Sequence, residues 1–531
     1  MLPPLFLDIK STDLVLDVCA APGSKTSQIV EFITGMGKEQ SRIPEGGVMA
    51  NEIDFQRAYI LAHQLKRLNS PSMAVINHDA QFLPSIYDES INSYDNKVYF
   101  DKILVDVPCS GDGALRKLPG RWRYWSVHDA IHLHKTQVKI LMRAIKLAKV
   151  GGLIVYSTCS LNAIENEAVV AEIISRANSN QEGSLELVDI TKRLDGFKMR
   201  EGLNQWKFIL PKRNNVTPNN GKSPGTTGSK QDDHNNGMFE SFNTYEEFLS
   251  TYSAHPKLSK NVSKSMFSND PYYLTHHVHL DRTARILPHD NNSGGFYFAL
   301  IKKNGYVHFW EDKAEANVPK PNTIENPERA VKFEDIKEKR PKSTYRLAKT
   351  KDLAVIKTVA PDIIEELRDQ YGLNDSFPFD QLITIAEQGK RLQLISKRIK
   401  GFIDANTKNL INFVNVGTSV FVRNKSGGDF WRLSQDGIRL VRPYMSKNII
   451  QISKEFFLYL IGHPQSLPFS GFSDNFAKEK QEMEKLDIGC YCFCYRDSEE
   501  ELLCVVKMKQ SLVMFVSKED IEGLKMKYTD E

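Results

Sequence analysis

The sequence has no long hydrophobic run and little cysteine. None of its apolar stretches reaches the roughly 18 residues that a membrane-spanning helix requires, which argues against an integral membrane protein. The start, MLPPLFLDIK, lacks the basic segment and the cleavage site of a signal peptide. Seven cysteines in 531 residues show no paired spacing, which indicates reduced thiols rather than disulfides. These absences together argue against secretion.

The sequence also lacks a strong excess of charge of either sign. Its formal net charge is +4, which is too small to indicate a nucleic-acid partner and does not exclude one. The chain has 531 residues, of which 41% are hydrophobic and 26% charged. This composition is typical of a globular protein, and the length suits two or three domains.

Strand patterns alternate with helical patterns from Met1 to about Arg176. The strand patterns are LVLDVCA, GGVMANE, SMAVINHD, DKILVDVPC and GGLIVYSTC, and the helical patterns are SKTSQIVEFI, FQRAYILAHQLKRL and HLHKTQVKILMRAIKLAK. This alternation predicts a doubly wound, Rossmann-like α/β sheet. TARILPH and GGFYFALIKK, joined by DNNSGG, predict a hairpin that forms an antiparallel edge.

Composition divides the chain into two predicted domains. The first covers residues 1–304 and contains an Asn/Gly/Pro/Ser/Lys-rich segment at about 211–237, predicted to be a disordered insertion. A charged linker follows at 305–351. Residues 352–531 carry helical patterns, DIIEELRDQYG and KRLQLISKRIKGFI, and then short strand patterns such as FWRLSQDGIRLV and GCYCFCY. They predict an α+β domain.

Three predicted strand ends carry residues that suit a nucleoside. After the first strand, the small residues around Gly23 let backbone amides approach a ligand closely, although an ordinary tight turn has the same pattern. Glu52 could bind both ribose hydroxyls or belong to a solvated turn. Asp79 could bind an adenine amino group or cap a helix. Together the three ends predict an adenosine ligand.

Two adjacent predicted strands each end in a cysteine. Cys109 lies in DVPCSGDG, three residues after Asp106, and Cys159 lies in YSTCS. A single thiol in such a place is usually a small core residue. Two thiols at the same edge of a sheet predict a functional site.

Four stretches together resemble the Sun family of RNA cytosine-5 methyltransferases, most closely its eukaryotic multisite tRNA branch. They are VLDVCAAPGSKT, DVPCSGDGALRK, YSTCSLNAIENEAVV and RILPHDNNSGGFYFAL. FVNVGTSVFVRNKSGGDFWRLSQDGIRLVRP is similar to the PUA-like RNA-binding domain of these relatives. The resemblance implies S-adenosylmethionine as cofactor and RNA, specifically tRNA, as partner. It assigns the cofactor site to Cys19, Ala20, Ala21, Pro22, Gly23, Ser24, Lys25, Glu52, Asp79 and Asp106.

The same resemblance implies the catalytic roles of Cys159, Cys109 and Asp106. Cys159 is the expected nucleophile, because carbon 5 of cytosine becomes nucleophilic only after a thiolate has added at carbon 6. Asp106 is expected to interact with the ring nitrogen. Cys109 is expected to help release the product.

Relatives carry a substantial region upstream of the first motif, so we expect such a region to be missing before Met1. This leaves an alternative function, a catalytically impaired RNA-binding protein. DNA cytosine methylation is disfavoured, because those enzymes place the nucleophile in the Pro-Cys pair and lack the Thr-Cys pair of STCS. DNA is therefore not an expected partner. A membrane is not expected either, because the sequence has no long hydrophobic run. The oligomeric state cannot be inferred from the sequence.

Two further segments have more than one interpretation. GRWRYWSVH, residues 120–128, alternates arginines with aromatic residues, which suits RNA stacking or a hydrophobic staple at a helix start. The basic run Lys337–Lys351 suits a nuclear-import signal, a phosphate-binding linker or a solvated linker. We expect the protein in the nucleus, including the nucleolus, with the cytoplasm as second choice.

Two clusters superficially resemble metal sites. Cys490, Cys492 and Cys494 alternate in CYCFC, and His276, His277 and His279 lie in HHVHLDR. Neither has the Cys-x-x-Cys spacing of a structural zinc site. We expect no metal, and expect the alternating thiols to face a core.

Overall fold

The computed structural model of the chain describes residues 2–35, 43–90, 96–211, 239–252, 256–269, 278–307, 309, 356–385, 390–424, 428–463, 466–496 and 500–529. Within these ranges, no helix combines the length and the hydrophobicity that crossing a membrane takes. The predicted insertion, apart from Pro211, and the basic run Lys337–Lys351 lie outside the described residues.

The described residues form strands β1 to β22. In chain order they are Leu14–Asp17, Gly47–Asn51, Met73–Ile76, Phe100–Asp106, Ala148–Thr158, Leu185–Val188, Arg200–Glu201, Phe208–Pro211, Phe239–Phe242, Ala284–Ile286, Phe296–Lys303, Ile356–Thr358, Leu382–Ile385, Arg391–Leu394, Phe413–Val416, Thr418–Asn424, Phe430–Leu433, Ile449–Gln451, Ser466–Pro468, Gly489–Arg496, Glu500–Lys507 and Ser511–Met514.

The same residues form α-helices α1 to α13. In chain order they are Ser24–Thr34, Phe55–Lys66, Val127–Leu147, Glu167–Asn180, Tyr245–Tyr252, Pro256–Ser259, Pro288–Asn291, Pro361–Tyr371, Lys397–Ala405, Ile438–Val441, Lys454–Gly462, Ala477–Lys485 and Lys518–Thr529.

The chain folds into two compact units. One contains Asp8–Phe100 and Lys342–Glu531, and the other contains Leu2–Leu7 and Asp101–Pro341. Residues of the predicted first domain therefore occur in both units. The predicted boundaries near residues 304 and 351 stay predictions, because residues 310–355 lie outside the described part of the chain.

The first unit contains the parallel strands. β1, β2 and β3 pair in parallel, with Leu14 opposite Gly47 and Val48 opposite Met73. All their residues are buried, as expected for parallel strands that are covered on both faces. β15 pairs antiparallel with β3. Two five-stranded sheets also belong to this unit, in the orders β12-β13-β14-β16-β17 and β18-β20-β21-β22-β19.

The second unit contains the predicted hairpin. β4 lies beside β5, and β5 pairs antiparallel with β11, which places Val155 opposite Leu300. β10 and β11 are antiparallel, with Ala284 opposite Phe298, and β7 lies beyond β10. The parallel strands of one unit and the antiparallel hairpin of the other confirm the predicted mixed α/β fold.

A capping box fixes the start of α3, directly after the GRWRYW stretch. The Oγ of Ser126 accepts a hydrogen bond from the His128 amide at 3.2 Å. The Asp129 carboxylate accepts one from the Ser126 amide at 3.1 Å. These reciprocal bonds satisfy donors that a helix start would otherwise leave unpaired.

The predicted helix in KRLQLISKRIKGFI is wrong in its first part. Arg391–Leu394 is strand β14, because Leu392 and Leu394 are buried in alternation with more exposed residues, a period of two. The helix begins only at Lys397. In FWRLSQDGIRLV, predicted as strand, the last residues Ile438–Val441 form a short helix.

Candidate active site

The seven predicted cofactor residues numbered 19–25 lie in the turn after β1 and in the first two residues of α1. Gly23 has a φ of 110°, which glycine adopts most readily. A Cβ at Gly23 would lie 2.7 Å from the Cδ1 of Leu61, so a larger residue would not fit without a shift. α1 begins at the next residue, which places the amides of a helix start at the turn. This tight turn fits a ligand that the backbone contacts closely.

Asn51 ties the ends of the three parallel strands together. Its backbone carbonyl accepts a hydrogen bond from the Ala20 amide at 2.8 Å. Its Nδ2 donates to the carbonyls of Val18, at 2.9 Å, and His78, at 3.1 Å. The His78 amide donates to Asn51 Oδ1 at 3.0 Å. Sequence reasoning missed Asn51, whose signal is a polar residue that closes a fully buried strand.

Glu52 follows β2 and is only 3% exposed. Its Oε1 accepts a hydrogen bond from the Asp54 amide at 3.1 Å, and Arg57 Nη1 lies 3.4 Å from each carboxylate oxygen. Arg57 Nη2 also donates to the Ala21 carbonyl at 3.0 Å. Burial raises the pKa of Glu52, while the Asp54 amide and the Arg57 charge oppose this rise. A buried carboxylate that Arg57 connects to the turn after β1 fits a ligand with hydroxyl donors. Sequence reasoning missed Arg57.

Asp79 has the helix-capping role that sequence reasoning left open. Its Oδ1 accepts hydrogen bonds from the amide of Gln81 at 3.0 Å and from its Nε2 at 3.2 Å. These bonds cap the short 3-10 helix Ala80–Phe82. The assignment of Asp79 to an adenine amino group stays a prediction.

The two predicted catalytic cysteines lie side by side in the second unit. Cys109 comes three residues after β4 and Cys159 directly after β5, and their Sγ atoms are 3.2 Å apart. Both are free thiols. The contact with Cys159, together with burial, raises the pKa of Cys109 well above the usual range of a thiol.

Asp106 lies on the same pair of strands. It is the last residue of β4, and its Oδ1 accepts a hydrogen bond from the Oγ of Ser157 in β5 at 2.7 Å. The structure thus brings all three predicted catalytic residues to the ends of two neighbouring strands.

Glu165 connects the two cysteine loops and was missed by sequence reasoning. Its carboxylate accepts hydrogen bonds from the amide and the Oγ of Ser110, at 2.8 and 2.5 Å. It also accepts from Ser160 Oγ at 2.6 Å and from Gln137 Nε2 at 3.1 Å. Burial raises the pKa of Glu165, and these hydrogen bonds oppose the rise. Since Ser110 and Ser160 directly follow the two cysteines, Glu165 fixes the spacing of the two loops.

Arg285 and Glu167 brace the loop after Cys159. The Nε and Nη2 of Arg285 donate to the two carboxylate oxygens of Glu167, both at 2.5 Å. Its Nη1 donates to the Leu161 carbonyl at 2.8 Å. The amide of Gly113 binds the Cys159 carbonyl at 3.0 Å, and a Cβ at Gly113 would lie 2.8 Å from that oxygen. The backbone next to Cys159 is thus closely packed.

The remaining cysteines belong to a hydrophobic core. Cys490, Cys492, Cys494 and Cys504 are buried in one apolar cluster, which confirms that the alternating thiols of CYCFC face a core. Across the described ranges, no three His, Cys, Asp or Glu side chains form a group that could hold a metal ion. His276 and His277 lie outside the described residues.

Comparisons with known proteins match both parts of the chain. Residues 4–218 match the family described as 16S rRNA methyltransferase RsmB/F. Residues 354–446 match the NSUN2 Pre-PUA domain. These matches agree with the predicted methyltransferase fold and with the predicted PUA-like character of the C-terminal part.

Three relatives match over almost the whole chain. The multisite-specific tRNA:(cytosine-C(5))-methyltransferase trm4b of Schizosaccharomyces pombe is 32% identical over 92% of this chain and 71% of its own length. The tRNA (cytosine(34)-C(5))-methyltransferase of Drosophila melanogaster is 32% identical over 98% of this chain and 67% of its own. The multisite-specific enzyme of Saccharomyces cerevisiae is 30% identical over 99% and 71%.

These similarities confirm the predicted family and make S-adenosylmethionine the cofactor. The chain belongs to the Sun, or RsmB/F, family of RNA cytosine-C5 methyltransferases, together with the eukaryotic multisite-specific tRNA enzymes.

Proposed function

We propose that this chain transfers a methyl group from S-adenosylmethionine to carbon 5 of cytidine in tRNA, through a covalent adduct of Cys159 at carbon 6. The observation that carries the proposal is the 3.2 Å separation of the Sγ atoms of Cys109 and Cys159. Two thiols at the ends of neighbouring strands suit a reaction that needs a nucleophile for addition and a separate base for release. The three relatives described above are tRNA cytosine-C5 methyltransferases, which supports tRNA as substrate.

Cys159 is assigned the addition step. Its thiolate forms a bond to carbon 6, and the electron pair of the carbon 5–carbon 6 double bond moves towards carbon 5, which becomes nucleophilic. Asp106 is assigned to the ring nitrogen, where a hydrogen bond withdraws electrons and helps the addition. When bound, S-adenosylmethionine supplies the electrophilic methyl group.

Cys109 is assigned the release step. The hydrogen on carbon 5 leaves as a proton to the Cys109 sulfur, its electron pair restores the double bond, and the bond between carbon 6 and Cys159 breaks. Contact with Cys159 is the largest cause of the raised pKa of Cys109. Once Cys159 is bonded to carbon 6, it is a neutral thioether, so this cause is removed. Removal of this contribution lowers the pKa of Cys109, while burial still raises it. After its thiol proton has passed to solvent, the Cys109 thiolate is the base that accepts the proton from carbon 5.

Transfer of labelled methyl groups tests the proposed function. The protein, S-adenosylmethionine and a tRNA transcript should give 5-methylcytidine after nuclease digestion, whereas single-stranded DNA of the same sequence should stay unlabelled. RNA binding without any transfer would instead support the catalytically impaired RNA-binding alternative. Transfer to DNA at a comparable rate would contradict the choice of substrate.

Glu52→Ala is expected to weaken S-adenosylmethionine binding by about 1.5–3 kcal/mol, the usual effect of losing a hydrogen bond to a charged group. Isothermal titration calorimetry measures this change. Glu31→Ala, which removes an exposed carboxylate from α1, is the matched control and should bind normally. Unchanged affinity in a folded Glu52→Ala variant would remove Glu52 from the cofactor site.

The raised pKa of Glu52 adds a pH dependence to the same measurement. Protonation removes the acceptor charge, and it occurs at a higher pH than for an exposed glutamate. Affinity for the cofactor should therefore fall as the pH is lowered through this raised pKa. Glu52→Ala should lack that part of the pH profile.

A further inference from the structure

A cavity of about 500 Å³ lies beside the start of α3, within the usual range of small-ligand sites, about 300–1,000 Å³. Its lining includes the cations Lys117 and Arg121, the aromatic rings of Tyr124 and Trp125, the carboxylate of Asp129 and the apolar side chain of Leu118. The mechanism proposed above does not use this cavity.

The aromatic side of the cavity is open to a ligand. Tyr124 is 82% exposed, so its ring is accessible for stacking. Trp125 is half-buried, and its Nε1 is a buried donor that has no acceptor within the described part of the chain. Buried donors are normally paired, so a ligand with a hydrogen-bond acceptor would complete this site.

The charged side of the cavity favours an anion. Two cations, Lys117 and Arg121, line the cavity against one acid, Asp129. The Asp129 carboxylate already accepts the amide of Ser126 in the capping box. Cations together with exposed aromatic rings are the combination that single-stranded nucleic acids require, because phosphate contacts and base stacking act together.

Arg121 joins the cavity to the catalytic loop. Its Nε donates to the Ser110 carbonyl at 2.6 Å and its Nη2 to the Cys109 carbonyl at 3.3 Å. A Cβ at Gly111 would lie 3.0 Å from the Arg121 Nε, so the side chain lies close against the loop. A ligand in the cavity is therefore one side chain away from the backbone of Cys109.

We infer that this cavity binds a nucleotide that neighbours the target cytidine in single-stranded RNA. Its base stacks on Tyr124 and accepts a hydrogen bond from Trp125, and its phosphate contacts Lys117 and Arg121. The inference rests on the proposed function and deepens it, because it assigns to these residues the positioning of the RNA beside the target cytidine. Arg121 then transmits the presence of that nucleotide to the loop that holds Cys109.

An abasic scan of the substrate tests this site. Nucleotides near the target cytidine are replaced one at a time by abasic residues, and dissociation constants are measured by fluorescence anisotropy, with methyl transfer measured in parallel. Wild-type protein should lose affinity at one neighbouring position. Tyr124→Ala should weaken binding of the intact RNA roughly 10-fold, as expected for a lost stacking contact. For this variant, an abasic residue at the sensitive position should cause no further loss of affinity.

Two variants serve as controls. Tyr124→Phe keeps the stacking ring and should keep the wild-type profile. Trp122→Ala removes a ring that is 68% exposed but does not line the cavity. Like the wild-type protein, this variant should lose affinity when the RNA is abasic at the sensitive position. Both Tyr124 and Trp122 are exposed, so folding should be unaffected, and thermal melting checks this.

The outcomes separate the site from the proposed function. A Tyr124→Ala variant with the wild-type affinity and abasic profile would overturn the nucleotide site, while methyl transfer by the wild-type protein would leave the proposed function intact. If the loss of RNA affinity at an abasic position depends on Tyr124, but the wild-type protein transfers no methyl group, the nucleotide site is supported and the proposed function is overturned.

Discussion

Cys159→Ala is expected to abolish both methyl transfer and any covalent adduct with RNA, whereas Cys109→Ala is expected to accumulate that adduct. The two thiols are 3.2 Å apart, yet under the proposed mechanism replacing each of them has the opposite effect on the covalent adduct. Without Cys159 no bond to carbon 6 forms. Without Cys109 the bond forms and the methyl group is transferred, but the proton on carbon 5 is not removed and the protein stays attached to the RNA.

A denaturing gel shows whether each variant forms the covalent protein–RNA adduct. Protein, tRNA and S-adenosylmethionine are incubated, and a slowly migrating protein–RNA band should appear for Cys109→Ala and be absent for Cys159→Ala. The double variant is the control and should give no band. A band from Cys159→Ala but none from Cys109→Ala would reverse the two roles. Full activity in both single variants would reduce the thiols to packing residues.

The position of the three predicted catalytic residues could be inferred from the sequence because it depends on sheet topology alone. Strands that neighbour each other in an α/β sheet end at a common edge, so DVPC and YSTC had to present Cys109 and Cys159 together. The structure confirms this, and it places Asp106, which was predicted at the same edge, on the same pair of strands. The identity of the cofactor, by contrast, came from resemblance and not from spacing.

Glu165 could not be predicted because its role depends on how a loop returns to the sheet. In NAIENEAVV it resembles an acid near a solvated helix start, but the structure buries it completely. Its hydrogen bonds to Ser110 link positions 55 residues apart. The same limit applies to Arg57, which reaches from α2 to the Ala21 carbonyl. Long side chains that cross between elements leave no periodic signal.

The β14 error has a different physical origin. RLQLISKRIK contains basic and apolar residues at both helical and strand spacings, so propensity alone did not decide between them. Pairing of β14 with β13 and β16, together with burial of Leu392 and Leu394, decides it in favour of a strand. Tertiary pairing overrides a weak local preference for helix.

Arg285→Leu is expected to lower the free energy of unfolding by about 3–5 kcal/mol, the usual effect of removing one partner of a buried ion pair. Glu167 is fully buried and its carboxylate would remain without the Arg285 charge, since both oxygens bind that guanidinium. Urea denaturation followed by circular dichroism measures the change. Lys149→Leu, which breaks the more exposed pair with Asp101, is the control and should cost about 1 kcal/mol or less.

The double variant Arg285→Leu/Glu167→Leu separates stability from positioning. Replacing both partners of a buried pair by apolar residues is often close to neutral for stability, so the double variant should recover much of the loss. It should not recover methyl transfer, because the hydrogen bond from Arg285 Nη1 to the Leu161 carbonyl is still absent and the loop beside Cys159 is no longer held. Full activity in a stable double variant would show that the pair maintains the fold only. A double variant as unstable as Arg285→Leu would instead show that the packing around these side chains, and not the unpaired charge, causes the loss.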